Sequence, residues 1–158
     1  MKKIISLVLA ATLVTAAAGI TAYAVEYPGG TQNAVITTSV APTFTVVIPT
    51  DTTVNFNSTS TDFGAVSLDS AQIAPDKAVK VELNASGTLK NSGDNAKTIA
   101  YTINNKDVGA EFTEATYKVQ GEHTDLTIDI AQTEWDAAFA GDYSDTVSFN
   151  ISYVDVSL

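Results

Sequence analysis

Few residue types in this chain could carry out catalysis. His123 is the only histidine, and there is no cysteine. A Ser-His-Asp site would have to use His123, which stands in a polar turn where a solvated loop residue is the simpler interpretation. A thiol nucleophile and a Cys/His zinc site are excluded for this chain alone, and no Gly-rich phosphate loop, G-x-S-x-G or H-E-x-x-H motif occurs. The sequence predicts a protein that is not an enzyme and that needs no cofactor.

Paired carboxylates are the remaining candidates for catalysis. Glycoside hydrolysis uses two carboxyl groups that flank the scissile bond. Three close pairs exist in the sequence: Glu122 and Asp125, Glu134 and Asp136, Asp142 and Asp145. Their neighbours are small polar residues rather than the aromatic residues that line a sugar-binding cleft, which argues against a hydrolase.

Three acidic residues near one corner, Asp136, Asp142 and Asp145, suggest a calcium site as an alternative to the absence of any metal. Carboxylate oxygens on adjacent loops are ligands that Ca²⁺ accepts. The stretch has no D-x-D-x-D-G loop, however, and we favour the interpretation that these residues form a solvated acidic rim.

The single tryptophan, Trp135, also has two interpretations. With Tyr143 it could offer a flat aromatic surface to a sugar ring. Alternatively it caps one end of the core beside Phe139, because residues four apart on a helix lie on the same side. We favour the capping role, and we keep Trp135 and Tyr143 as the candidate ligand-binding residues.

The N-terminus predicts export. Lys2 and Lys3 precede an apolar run from Ile4 to Ile20, and Ala22-Tyr23-Ala24 has the small-x-small form of a cleavage site. We therefore interpret residues 1–24 as a signal peptide that is removed. A retained membrane anchor is the alternative, although the run is at the lower limit for a span. The predicted location is secreted, extracellular or at the cell surface, with no membrane contact after cleavage.

The processed chain is strongly acidic. Loss of Lys2 and Lys3 leaves six Lys and no Arg against 18 acidic residues, a formal charge of −12. No basic patch is left for nucleic acid or an anionic membrane surface. Residues 25–32 read as a flexible Pro-Gly-Gly leader, and residues 33–158 as one domain without disulfides.

Strand-forming residues dominate that domain. Short runs of Val, Ile, Thr, Phe and Tyr are separated by Gly, Asn, Asp and Pro. The strands are expected at 33–40, 43–48, 53–56, 62–68, 78–85, 97–103, 117–120, 124–130 and 143–153. This spacing predicts an all-β fold: a single antiparallel β-sandwich of eight to ten strands, Ig-like with Greek-key connections. A small closed barrel is the alternative. The only helical pattern is one short turn near 132–140.

The first predicted strand, residues 33–40, has two possible partners. Its alternate residues Ala34, Ile36, Thr38 and Val40 could complete the sheet of their own domain. They could also add a strand to a neighbouring copy, because an open sheet edge pairs between chains as well as within one. The leader before it and the break at Pro42 permit either arrangement.

The end of the chain carries a motif. Ala140-Gly141-x-Tyr143-x-Asp145-x-Val147 is followed by alternation to Tyr153, and Asp62-Phe63-Gly64-Ala65-Val66 stands upstream. These pieces resemble the closing strands of bacterial pilin-type and adhesin-type sandwich domains, in particular the spore coat protein U-like family, which includes chaperone–usher pilins. Members of that family commonly carry a disulfide, which this chain lacks.

The resemblance implies an extracellular structural class. The expected function is a secreted, non-enzymatic structural or adhesive protein of a surface, fibre or matrix. The alternative is an extracellular carbohydrate-binding module whose partner is a polysaccharide.

Overall fold

The computed structural model describes the backbone of residues 6–10 and all atoms of residues 33–156. The predicted leader 25–32 and most of the predicted signal peptide 1–24 lie outside these ranges. The described part contains eleven strands and one short helix: β1 Ser6–Ala10, β2 Thr43–Val47, β3 Ser60–Gln72, β4 Lys77–Asn84, β5 Thr88–Asn91, β6 Thr98–Ala100, β7 Thr102–Asn105, β8 Glu114–Tyr117, β9 His123–Asp129, α1 Gln132–Ala137, β10 Tyr143–Ser144 and β11 Ser148–Asp155. The predicted all-β fold is confirmed.

The strands form three antiparallel sheets. The first has the order β1-β2-β3-β9-β7, the second β11-β4-β8 and the third β10-β5-β6. The chain passes between the second and third sheets twice: from β4 in the second sheet to β5 in the third, and from β10 in the third sheet to β11 in the second. Aromatic contacts join β2 and β3 to β11: the ring centroids are 5.8 Å apart for Phe44 and Tyr153, and 6.4 Å apart for Phe63 and Phe149.

Alternation along the strands explains the core. In β4, Val79 and Val81 are fully buried, while Lys80 lies on the other face and forms ion pairs with Glu82 and Glu114 at 2.9 and 2.8 Å. This is the period of two that a strand with one buried face requires. Side chains from strands of all three sheets form one continuous apolar cluster.

Three predicted strands are not found where the sequence places them. Of the run 117–120, only Tyr117 is in a strand, as the last residue of β8. Residues 33–40 are exposed and pair with no strand in the described part of the chain, and residues 53–56 are likewise irregular. Strand-forming residue types are therefore insufficient here, because a strand exists only where a partner edge lies in register.

Two other predicted strands divide. The run 97–103 becomes β6 and β7, which belong to different sheets; between them the Tyr101 N–H donates to the carbonyl of Gly87. The run 143–153 becomes β10 and β11, separated by residues 145–147. Both divisions occur where the chain leaves one sheet for another.

The register of β11 gives a stability prediction. Phe149 packs against the core from a half-buried position, whereas Ser148 is exposed. We expect Phe149→Ala to lower the free energy of unfolding by about 2–4 kcal/mol, somewhat less than for a fully buried ring. Ser148→Ala is the neighbouring control and should stay close to wild type. Urea unfolding measures both, and equal losses would contradict the register.

Candidate functional site

The A-G-x-Y motif is a tight corner that leads into β10. Gly141 has φ +145°, and a Cβ at this position would lie 2.4 Å from the Nδ2 of Asn91. Asn91 is buried, and its Oδ1 accepts a hydrogen bond of 2.8 Å from the Gly93 N–H. Glycine is therefore required by both the backbone angle and the space. The corner fixes where Tyr143 begins its strand.

Asp145 joins separate parts of the chain directly after that corner. Its Oδ2 accepts hydrogen bonds from the Tyr101 hydroxyl at 2.6 Å and from the Ser86 hydroxyl at 2.7 Å. Burial favours the neutral carboxyl, but these hydrogen bonds outweigh it and hold the pKa of Asp145 below its ordinary value. Burial, together with the hydrogen bond to Asp145, raises the pKa of Tyr101.

An aromatic cleft opens beside this corner. We use this name for the cavity of about 810 Å³ around Phe56, Trp135, Phe139 and Tyr143. Phe56 is 75 % exposed and Phe139 is 60 % exposed. Trp135 is buried, meets Phe56 edge to face at 5.7 Å between ring centroids, and donates its Nε1–H to the Ser58 carbonyl at 2.9 Å. The cleft is large enough for a small ligand.

A second cavity of about 460 Å³ continues from the aromatic cleft. Thr52, Val54, Leu89 and Asp145 line both cavities. The floor of the second cavity is apolar, with core side chains from β3, β7 and β9: Phe63, Ile103 and Ile128. Together the cavities form a groove between residues 48–56 and residues 138–149.

The two predicted ligand-binding residues, Trp135 and Tyr143, both line the aromatic cleft. Neither is a free platform, because Trp135 is buried and the Tyr143 hydroxyl donates to the Phe139 carbonyl at 3.0 Å. The expected pairing of Trp135 and Phe139 on one helix face is wrong. Helix α1 ends at Ala137, Ala138 is extended, and Phe139 points to solvent.

The three aspartates that suggested a calcium site, Asp136, Asp142 and Asp145, do not form a cluster. Within residues 6–10 and 33–156, no group of three or more His, Cys, Asp or Glu side chains could hold a metal ion. Asp145 is engaged with Tyr101 and Ser86, Asp136 accepts a hydrogen bond from Gln132, and Asp142 is exposed. Asp136 and Asp142 are thus exposed, whereas Asp145 is partly buried and bound to two hydroxyl groups.

His123 is exposed at the start of β9, with its Nδ1 3.2 Å from the carbonyl of Gly121. The turn before it, residues 118–122, is held by Glu122. Its carboxylate accepts the N–H groups of Lys118 and Val119, the latter at 3.0 Å. These backbone hydrogen bonds lower the pKa of Glu122. The contacts of this turn are those that stabilise a tight connection between β8 and β9.

Two residues at the cleft have surroundings that the sequence does not predict. Phe56 and Lys97 both fall in predicted strands, 53–56 and 97–103. In the structure the Lys97 Nζ lies 4.3 Å from the centroid of the Phe139 ring, a cation–π contact. Neither could have been found from spacing, because residues 56, 97 and 139 are distant in sequence.

The segment 33–40 is the most exposed apolar part of the described chain. Val35, Ile36 and Val40 are 85 %, 96 % and 66 % exposed. All eight residues are exposed and none is in a sheet. Single exposed apolar residues are common, but a run of three within six residues is an exposed apolar patch that could become buried in an interface.

No protein-family model, curated protein or solved structure matches this chain. Among the residues that the structure describes, no helix is long and apolar enough to cross a membrane.

The hydrogen bond between Tyr101 and Asp145 predicts how stability depends on pH. Because the pKa of Asp145 is lowered, its carboxylate stabilises the fold at pH values above the ordinary Asp pKa of about 4, and this contribution is lost as the pH falls below that value. Because the pKa of Tyr101 is raised, its neutral phenol stabilises the fold at pH values below the ordinary Tyr pKa of about 10, and this contribution is lost as the pH rises above that value. The free energy of unfolding should therefore fall on both sides.

We expect Tyr101→Phe to lower the free energy of unfolding by about 1–3 kcal/mol near neutral pH, because a hydrogen bond to a carboxylate is lost. In Tyr101→Phe, the fall of the unfolding free energy at alkaline pH should shrink most, because the titrating phenol is gone. The fall at acid pH should shrink only in part, because Ser86 still donates to Asp145. Tyr143→Phe is the control, since that hydroxyl contacts only the backbone of Phe139. Urea unfolding across the pH range measures this, and unchanged slopes in Tyr101→Phe would contradict it.

Proposed function

We propose that this chain is a secreted, non-enzymatic structural or adhesive protein whose copies associate through residues 33–40. The observation that carries the proposal is the exposed, unpaired segment itself. Ile36 and Val40 would share one face of an extended strand with Ala34 and Thr38, yet Ile36 is 96 % exposed and the segment pairs with no strand among the described residues. Burying each such side chain is worth about 1.5–3 kcal/mol, so a second copy that pairs with the segment would be stabilised.

The surface chemistry supports a structural role over catalysis or nucleic-acid binding. The formal charge of −12 after processing repels phosphate backbones. His123 is exposed at the start of β9, and Asp145 is held by Tyr101 and Ser86. The chain has no cysteine, so outside the cell its fold would be stabilised by the apolar core rather than by disulfides.

The proposal is tested with protein exported by a bacterial host. N-terminal sequencing should find Val25 as the first residue. Sedimentation of this protein up to millimolar concentration, with electron microscopy of the same samples, should show oligomers that grow with concentration. Replacement of Ile36 and Val40 by Ser should leave monomers, because the apolar gain of pairing is removed.

His123→Ala is the matched control and should associate like wild type, because His123 has no role in the proposal. A wild-type protein that remains monomeric at millimolar concentration would contradict the self-association. An enzymatic turnover that His123→Ala abolishes would contradict the non-enzymatic role.

Carbohydrate binding is a second candidate, and the aromatic cleft favours it. Phe56 and Phe139 expose aromatic rings at the mouth of a cavity that also presents the hydroxyls of Thr52 and Thr53. Apolar ring faces with nearby hydrogen-bonding groups can hold a sugar ring. An extracellular polysaccharide would be the ligand.

Affinity electrophoresis in gels that contain a neutral or an acidic polysaccharide tests this candidate. If the cleft binds sugar, Phe56→Ala and Phe139→Ala should remove the retardation while the far-UV spectrum stays unchanged. Val108→Ala and Val119→Ala, which change exposed apolar residues outside the cleft, should keep it. Equal retardation in all four variants would contradict a sugar site in the cleft.

A further inference from the structure

Strand β2 has a free edge as soon as β1 is removed. In the structure, Ser6–Ala10 pairs with Thr43–Val47 in an antiparallel register over five residues, from Ser6 opposite Val47 to Ala10 opposite Thr43. The edge of β2 is therefore shaped to accept a further strand. Because Ser6–Ala10 lies in the predicted signal peptide, the processed protein loses this partner.

The edge of β2 has few of the features that normally prevent pairing between molecules, although Pro42 precedes it and its register with β3 shifts between Thr45 and Val46. Free edges are usually protected by charged side chains, by Pro or by an irregular backbone. Thr43–Val47 reads TFTVV, with no charge and no Pro, and all five residue types favour strands. The stretch from residue 27 to residue 50 contains no Asp, Glu, Lys, Arg or His. A neighbouring chain can thus approach this edge without desolvating a charge.

The segment 33–40 of the same copy cannot easily return to this edge. Only Ala41 and Pro42 separate it from β2, so antiparallel pairing would need a two-residue hairpin. Such hairpins require a positive φ at the first loop position, where Gly, Asn or Asp is normal. Ala41 is restricted further to extended angles because Pro42 follows it. The segment of a second copy is under no such restriction.

We propose that the β2 edge accepts residues 33–40 of a second copy, antiparallel, in the position that Ser6–Ala10 takes in the unprocessed chain. This inference rests on the proposed self-association and on removal of residues 1–24. Each copy would then offer one segment and one edge, separated by only two residues. Reciprocal exchange between two copies closes a dimer, whereas donation in one direction from copy to copy produces a linear fibre.

The side chains of the incoming segment should divide between two faces. In β2, Phe44 and Val46 are buried, and Thr45 between them lies on the opposite face. Of the two alternating sets in the segment, the more apolar is Ala34, Ile36, Thr38 and Val40. This set should face the side of Phe44 and Val46, so Val35, Thr37 and Ser39 should share a face with Thr45.

Disulfide trapping tests this arrangement, since the chain has no cysteine of its own. The processed chain, residues 25–158, is made as single-cysteine variants, and Thr45→Cys is mixed with Thr37→Cys or with Thr38→Cys under mild oxidation. Thr37 and Thr38 are identical residues on opposite faces. We expect about tenfold more mixed dimer with Thr37→Cys, because a disulfide forms only between Cβ atoms that are close and face each other. Val35→Cys and Ile36→Cys repeat the comparison of the two faces, and Val35→Cys should give more mixed dimer than Ile36→Cys.

Thr116→Cys on β8, which is the edge of the second sheet, serves as the control acceptor. Oligomers in the sedimentation experiment without the alternating pattern at Thr45, or equal trapping at Thr116, would overturn this inference and leave the proposed self-association intact. A processed protein that sediments as a monomer and yields no mixed dimer would overturn both. Alternating trapping at Thr45 alone, together with oligomers in sedimentation, is the result that the inference requires.

Discussion

The hydrogen bond between the Tyr101 hydroxyl and the Asp145 carboxylate fixes the geometry on which the groove depends. Tyr101 lies where the chain passes from β6 in the third sheet to β7 in the first. Asp145 lies where β10 gives way to β11, also at a boundary between sheets. One partly buried contact thus ties two crossing points together. Asp145 also lines both cavities, so this contact lies on the wall of the groove.

The all-β class was predictable because it depends on residue types and on alternation along each strand. β4 and β9 appeared close to their expected limits, since each has one apolar and one polar face over seven or more residues. The segments 33–40 and 53–56 were not strands although their composition is similar. Pairing is decided by distant parts of the chain, and no local pattern records it. The divisions of 97–103 and 143–153 were missed for the same reason.

The candidate site shows the same limit. Trp135 and Tyr143 were identified because aromatic residues near a Gly corner are conspicuous in the sequence, and both line the cleft. Phe56 reaches the cleft from a part of the chain almost 80 positions earlier than Trp135, which spacing cannot reveal. The acidic residues 136, 142 and 145 are close in sequence, but the end of helix α1 and the turn at Gly141 separate them. Asp136 binds Gln132, Asp142 is exposed, and Asp145 binds Tyr101 and Ser86.

Charge and pairing act in opposite directions on this surface. A processed chain with a formal charge of −12 repels its own copies at long range, and salt would weaken that repulsion over roughly 10 Å. Contact can then form only where charges are few. Residues 27–50 are the longest stretch of residues 25–158 without Asp, Glu, Lys, Arg or His, and they include both the exposed segment 33–40 and strand β2. The chain therefore keeps its charges away from the two surfaces that the proposed pairing would bring together.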